Sequence, residues 1–271
     1  MKLSFSTLGC PGWPWQTVLD RAVEYGYSGL EIRGVNGVMA VDEIDALTLE
    51  NRRTLAGELE SRGLSIVCLG TSCNFHDPEK FDAAVEEGKK AIDVAAGIGA
   101  PFIRVFGDQI VSPELQDEVI GRVSRGVNTL CDYAKDSSVR VLQEVHGDFN
   151  RLETLLPVAK SIGNTENFGL IWDVAHSDKT YGGDWPTFYD GIKPWIHHIH
   201  IKDHKRLADG SFQLCMTGEG DIPLADICRT LTDDGYDGFF SLEWEKKWHP
   251  DLEEPEAAFP AYIRYMQGLA I

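Results

Sequence analysis

The chain has no run of apolar residues long enough to cross a bilayer. Its opening, MKLSFSTLGCPGW, goes straight into a strand pattern without the long apolar core of a secretory signal. Basic residues are scarce: 25 Lys and Arg stand against 43 Asp and Glu, a formal net charge of −18. A surface of that sign repels nucleic-acid phosphates and anionic membranes at long range, so neither is an expected partner. Paired cysteine motifs are also missing. Cys10, Cys68, Cys73, Cys131, Cys215 and Cys228 include no CxxC, and most lie in apolar runs where a thiol packs as a small hydrophobe. Reduced thiols with no signal and no span lead to the expectation of a soluble cytoplasmic protein.

What is present is alternation. Strand-like runs occur at KLSFST (2–7), GLEIRG (29–34), LSIVCLG (64–70), FIRVFG (102–107), VRVLQEVH (139–146), FGLIWDVAH (168–176), IHHIHIKDH (196–204) and GFFSLEWEK (238–246). Amphipathic or helix-rich segments separate them, several announced by a proline suited to a first helical turn (Pro14, Pro78, Pro113). Pro157 predicts a kink or early break in RLETLLPVAKSIG. Eight βα pairs without a composition break predict the α/β class and one (β/α)8 barrel spanning residues 1–271. The segment KRLADGSFQLCMTGEGD is too long and too rich in Gly and Asp for a minimal connection, and it predicts an active-site loop over about residues 205–221.

The chemistry gathers at strand ends five to eight. Glu144, Asp173, His200 and Glu243 stand there, 29, 27 and 43 residues apart, about one βα unit each. If the strands close into a barrel, all four side chains converge on the mouth where such barrels carry their chemistry. Taken singly, each is an ordinary solvated charge; as four in register they predict a divalent metal site, because an inward carboxylate in an apolar barrel is costly unless paired or metal-bound. Three carboxylates and an imidazole suit one divalent ion, with Mn²⁺ expected first and Mg²⁺, Co²⁺ or Zn²⁺ as the alternatives. Strand alternation adds His146 and His198 to the inward set. Glu31, Arg33 and Arg104 are read with equal weight as substrate contacts or strand-end salt bridges. Trp13, Trp15 and Trp244 offer a wall for a sugar ring or simply core, and Gly218-Glu219-Gly220 offers a weak phosphate turn beside opposing acids.

These motifs resemble the sugar phosphate isomerase/epimerase group with a xylose-isomerase-like barrel. The resemblance runs through GYSGLEIRG, EVHGDF, IWDVAHS, HIHIKD and FFSLEWEKKW, essentially the whole chain. It implies that Glu144, Asp173, His200 and Glu243 hold the metal and that Glu144 and Glu243 also act as the acid/base pair. A His three residues after the metal Asp and an Arg six residues after the metal His bind substrate in the ketose 3-epimerases of this group; here they are His176 and Arg206. The second Glu of those epimerases is Asn150 in this chain, while His146 offers an extra acid or base. The implied activity is isomerisation or epimerisation of a keto sugar, cyclitol ketone or 3-keto glycoside through a metal-stabilised enediolate, and the acids beside the glycine turn favour an unphosphorylated substrate. Dehydration by β-elimination is the alternative, and an endonuclease IV-like activity lacks its His-rich zinc cluster and basic surface. The resemblance also implies a homodimer or homotetramer, for which the aromatic C-terminal segment AAFPAYIRYM offers an apolar face.

Overall fold

The computed structural model describes residues 1–271. Eight parallel strands close into a barrel: β1 (Lys2–Ser6), β2 (Gly29–Ile32), β3 (Ser65–Asn74), β4 (Phe102–Phe106), β5 (Arg140–Glu144), β6 (Phe168–Asp173), β7 (Ile196–Ile201) and β10 (Phe239–Leu242), with β10 joining β7 to β1. The strands are buried on both faces, as β6 shows along its whole length, which is why they read as nearly continuous apolar runs. Helices α1 (Trp15–Tyr25), α2 (Arg52–Arg62), α3 (Phe81–Ile98), α4 (Gln116–Ala134), α5 (Leu152–Ser161), α8 (Leu224–Asp233) and α9 (Pro255–Gly268) form the outer ring. The turn from α1 back to β2 needs a left-handed residue, and Gly26 supplies it with φ of 89°.

Several local expectations change. Pro157 lies inside α5 without ending it, because it sits on the exposed face where solvent can satisfy the carbonyl it leaves unbonded. The stretch after Asp173 is helix rather than strand: α6 (Val174–Tyr181) begins there and is followed by α7 (Trp185–Ile192). The expected loop over 205–221 is partly ordered as an antiparallel hairpin of β8 (Asp203–Arg206) and β9 (Phe212–Cys215). The apolar face of α9 is turned inward: Phe259, Tyr262, Ile263 and Met266 are buried on the barrel, and the Tyr262 hydroxyl donates to Phe240 O at 3.0 Å.

Candidate metal centre

Register brings the four expected ligands together. Asp173 lies beside His200 in the β6/β7 ladder, His200 beside Ser241 in the β7/β10 ladder, and Glu243 is the first residue past that pair's next pleat. One ligand atom from each of Glu144, Asp173, His200 and Glu243 falls within 4.8 Å of every other, and all four residues are buried. His200 Nδ1 faces Glu144 Oε1 at 3.4 Å, Glu243 Oε2 at 3.5 Å and Asp173 Oδ2 at 3.9 Å. Asp173 has two tasks. Its Oδ1 caps α6 by accepting from the backbone of Ala175 and His176, both at 2.9 Å, and Oδ2 is left pointing at the cluster.

The donor set fits a divalent cation. Asp173 Oδ2 and His200 Nδ1 are buried without a hydrogen-bond partner; Lys202 Nζ comes within 2.9 Å of that aspartate oxygen, but without hydrogen-bond alignment. On the other edge of the imidazole, His200 Nε2 meets Glu31 Oε2 at 2.9 Å. An ionised carboxylate only accepts, so Nε2 carries a proton and Nδ1 is the nitrogen turned to the three carboxylates, the arrangement in which a metal-ligating histidine is oriented by a second carboxylate. Burial opposes charge on His200, yet Glu31, Glu243 and Glu144 together hold its imidazole well above the usual histidine range. The pocket attracts positive charge, which a proton or a metal ion can supply.

Two resident cations complete the balance. Arg104 Nη1 lies 3.0 Å from Glu144 Oε2 and 3.4 Å from Glu243 Oε1, and its Nη2 donates to Thr71 O at 3.0 Å. Lys202 Nζ lies 2.5 Å from both Glu243 Oε2 and Glu245 Oε1. Burial works against the Glu144 carboxylate, but Arg104 and His200 outweigh it and hold the carboxyl well below its ordinary value. At Glu243 burial prevails over Lys202 and His200, and the carboxyl is raised. The two expected acid/base residues therefore stand in environments that push them apart.

A cleft of about 660 Å³ opens above the quartet. His146 and His176 line it, their rings 4.3 Å apart. His146 is steadied by Asp108 Oδ1 at 3.2 Å from its Nδ1. Gly147 makes that approach feasible, since a Cβ there would stand 2.3 Å from Asp108 O. Burial, then Lys202 and His146, hold His176 well below the usual histidine value, so it faces the cleft as a neutral imidazole. Asn150, in place of the second Glu, donates to His176 O at 3.0 Å and supports the first turn of α6.

Other expectations are redistributed. Glu31 is fully buried and turned to His198 and His200 at 3.0 and 2.9 Å, so it lies beneath the quartet and not on the cleft wall. His198 shares that deeper position. Arg206 lies outside the wall because Asp178 on α6 holds its Nη2 through both Oδ2 (2.5 Å) and the backbone O (2.8 Å). The same Asp178 Oδ2 meets His204 Nε2 at 2.8 Å, and it is His204 that reaches the wall. Trp244 donates to Glu253 O, Trp13 packs on Phe259 and Trp15 donates to Glu58; the indole at the rim is Trp248. The Gly218–Gly220 turn is filled by Asp203, whose Oδ2 accepts from both glycine N–H groups at 2.9 and 3.0 Å. Strand alternation puts Lys202 and Glu245 in phase with His200 and Glu243, two residues beyond them on the same face, but does not by itself single them out as site residues.

Residues 19–268 match the family described as xylose isomerase-like TIM barrel. The chain is 22% identical over 259 residues to fructoselysine 3-epimerase of Shigella flexneri, covering 90% of each. It is 21% identical over 246 residues to 3-dehydroshikimate dehydratase of Bacillus anthracis, covering 84% of each. Among solved structures it resembles the IOLI protein with a binding zinc atom, with a TM-score of 0.77 at 16% identity, over 100% of this chain and 96% of that one.

Proposed function

Because the chain belongs to the xylose isomerase-like TIM barrel family, we propose that it is a divalent-metal-dependent isomerase or epimerase acting on a keto sugar, a cyclitol ketone or a 3-keto glycoside. The observation that carries this reading is the pair of buried ligand atoms without a hydrogen-bond partner, Asp173 Oδ2 and His200 Nδ1, set among two further carboxylates. Glu144, Asp173, His200 and Glu243 would hold the ion. A divalent cation there supplies positive charge to substrate oxygens that become anionic as the neighbouring carbon loses its proton.

The protein's own groups supply the rest. Glu243 and Glu144 bring carboxylate oxygens within 4.8 Å of each other, and in this reading one takes a proton from the carbon next to the carbonyl while the other returns it. Arg104 Nη1 reaches both carboxylates and holds them in place. His176 and His146 offer imidazole nitrogens to substrate hydroxyls from the wall. Turnover in D₂O tests the reading: deuterium should enter at the carbon beside the carbonyl, Glu243→Gln should suppress the exchange, and chelation should abolish it. Activity unaffected by EDTA, or hydrogen transfer without solvent label or primary isotope effect, would sink it.

One observation favours a second reading, β-elimination. Lys202 is a buried ammonium on the cleft wall among three carboxylates, in place to protonate a departing hydroxyl. An unsaturated ketone absorbing in the ultraviolet, with loss of water from the product mass, would select it over epimerisation.

A further inference from the structure

We infer that Arg33 forms an anion site on the cleft wall, so that the substrate carries a carboxylate or a phosphate as well as its keto group. This rests on the reading of the cleft as a keto-substrate site and narrows the class of substrate it takes.

Arg33 is the first residue beyond β2, lines the cleft and is only 8% exposed. It is fixed in place: its backbone N–H donates to Thr7 Oγ1 at 2.8 Å and its Nη2 donates to Ser72 Oγ at 2.8 Å. Its Nη1 is buried with no partner. The other buried cations of the cleft are paired, Arg104 with Glu144 and Glu243, and Lys202 with Asp173, Glu243 and Glu245. Arg33 has no carboxylate within ion-pair distance, although the chain carries 43 Asp and Glu. Glu87, which faces the same strand end, is engaged instead by the Ser72 N–H at 2.6 Å.

An unpaired buried guanidinium costs folding free energy and is retained where something else supplies the counter-charge. Burial, then the neighbouring Arg104, lower its pKa to about 10, so it is still charged at neutral pH. The barrel also leaves space for it. A Cβ at Gly70 would stand 2.7 Å from Arg33 Cδ and 3.4 Å from Arg104 Nη2, so the absent side chain is what lets two guanidinium groups sit side by side. A planar fork with a free N–H edge matches the oxygens of a carboxylate or phosphate. The glycine turn at 218–220 is closed to such a group by Asp203, and of the two cleft arginines with an unpartnered nitrogen, Arg104 is already paired with Glu144 and Glu243 while Arg33 has no carboxylate.

The test uses the purified full chain, Arg33→Gln, and Arg33→Lys as the charge-retaining control. Calorimetry with acetate and with inorganic phosphate should show binding that Arg33→Gln weakens about tenfold or more, as expected for a hydrogen bond to a charged group, and that Arg33→Lys weakens less. D-fructose, 5-keto-D-gluconate and D-fructose 6-phosphate then separate the sources. The carboxylated or the phosphorylated ketose should bind about tenfold tighter than the neutral one, with the preference lost in Arg33→Gln. In anion-free buffer Arg33→Gln should melt no lower than wild type, whereas a purely structural arginine would lower the transition. Anion affinity unchanged by Arg33→Gln, or equal affinity for all three ketoses, overturns the proposal. If acetate or phosphate binds through Arg33 while no ketose binds, the anion site stands and the keto-sugar reading fails.

Discussion

One step of the pleat separates two different interiors in the same barrel. In β5 Leu142 lies two residues before Glu144, and in β6 Ile171 lies two residues before Asp173. The lower residues join Val67 and Cys68 in an apolar cluster closed by Phe102 and Phe239. The upper ones join His200 and Glu243 in a ring of buried charge. Two residues of strand, roughly 7 Å, take the chain from groups whose burial drives folding to groups whose burial opposes it. The lower layer needs only volume and apolarity. The upper layer is held by specific pairings, and charge buried in this way is weak evidence of stabilisation. The barrel therefore separates what makes it fold from what equips it to react, along strands only five or six residues long.

The contrast is broken most sharply at Asp173. Asp173→Asn keeps a side-chain oxygen able to cap α6 while removing the charge offered to the cation. Turnover should fall on the order of 10³-fold, the loss typical of removing one group that stabilises developing charge, with metal content falling in elemental analysis. Stability of the metal-free protein in urea should change by about 1 kcal/mol or less. Collapse of the fold would show that the upper layer is structural. One pleat below, Ile171→Ala should do the reverse and cost about 2–5 kcal/mol in denaturant unfolding, with metal binding retained. A variant as stable as the parent would show that the lower cluster is not packed as described.

The quartet was legible because its members stand at or next to the ends of four apolar strands and fall at about repeat spacing, so alternation alone turns them inward. The helix α6 was not, because VAHSDKTY follows FGLIWD without punctuation; its start is signalled by the Asp173 side chain folding back on its own backbone. The hairpin of β8 and β9 carried a usable signal, the Asp209-Gly210 pair, with Gly210 at φ of 83°, hidden by the polar composition around it. The family resemblance placed Arg206 at the site, but its direction depends on Asp178, which belongs to the unforeseen helix. The role of Glu31 was out of reach, since its partner His200 stands 169 residues away on the far side of the barrel.

Glu31 joins the two layers, so it sharpens the comparison. If it fixes the His200 tautomer, Glu31→Gln should leave the quartet intact yet lower metal affinity about 10–100-fold, the range found for such orienting partners. Metal titration against a competing chelator measures this directly. An unchanged affinity would make Glu31 a buried ion-pair partner of His198 and His200 and nothing more.

The smallest effect is expected at the floor. His197 contacts Arg140 there, and its ring stands where only Gly169 leaves room, since a Cβ on that residue would be 2.3 Å from His197 Cδ2. Burial, then Arg140, lower its pKa to about 4, against about 6.5 in an unfolded chain. Between those values the unfolded state binds the proton and the folded state resists it, so stability contributed by neutral His197 is full above about pH 6.5 and lost as pH falls toward 4. The site is partly open to water, and screening reduces the contribution to about 1–2 kcal/mol. Urea unfolding of wild type and His197→Gln at steps from pH 7.5 to 4 isolates it, because the carboxylates of the mouth titrate alike in both proteins. The difference between the two curves should narrow on acidification. Parallel curves would show that acid acts on this barrel through its charged mouth and not through its floor.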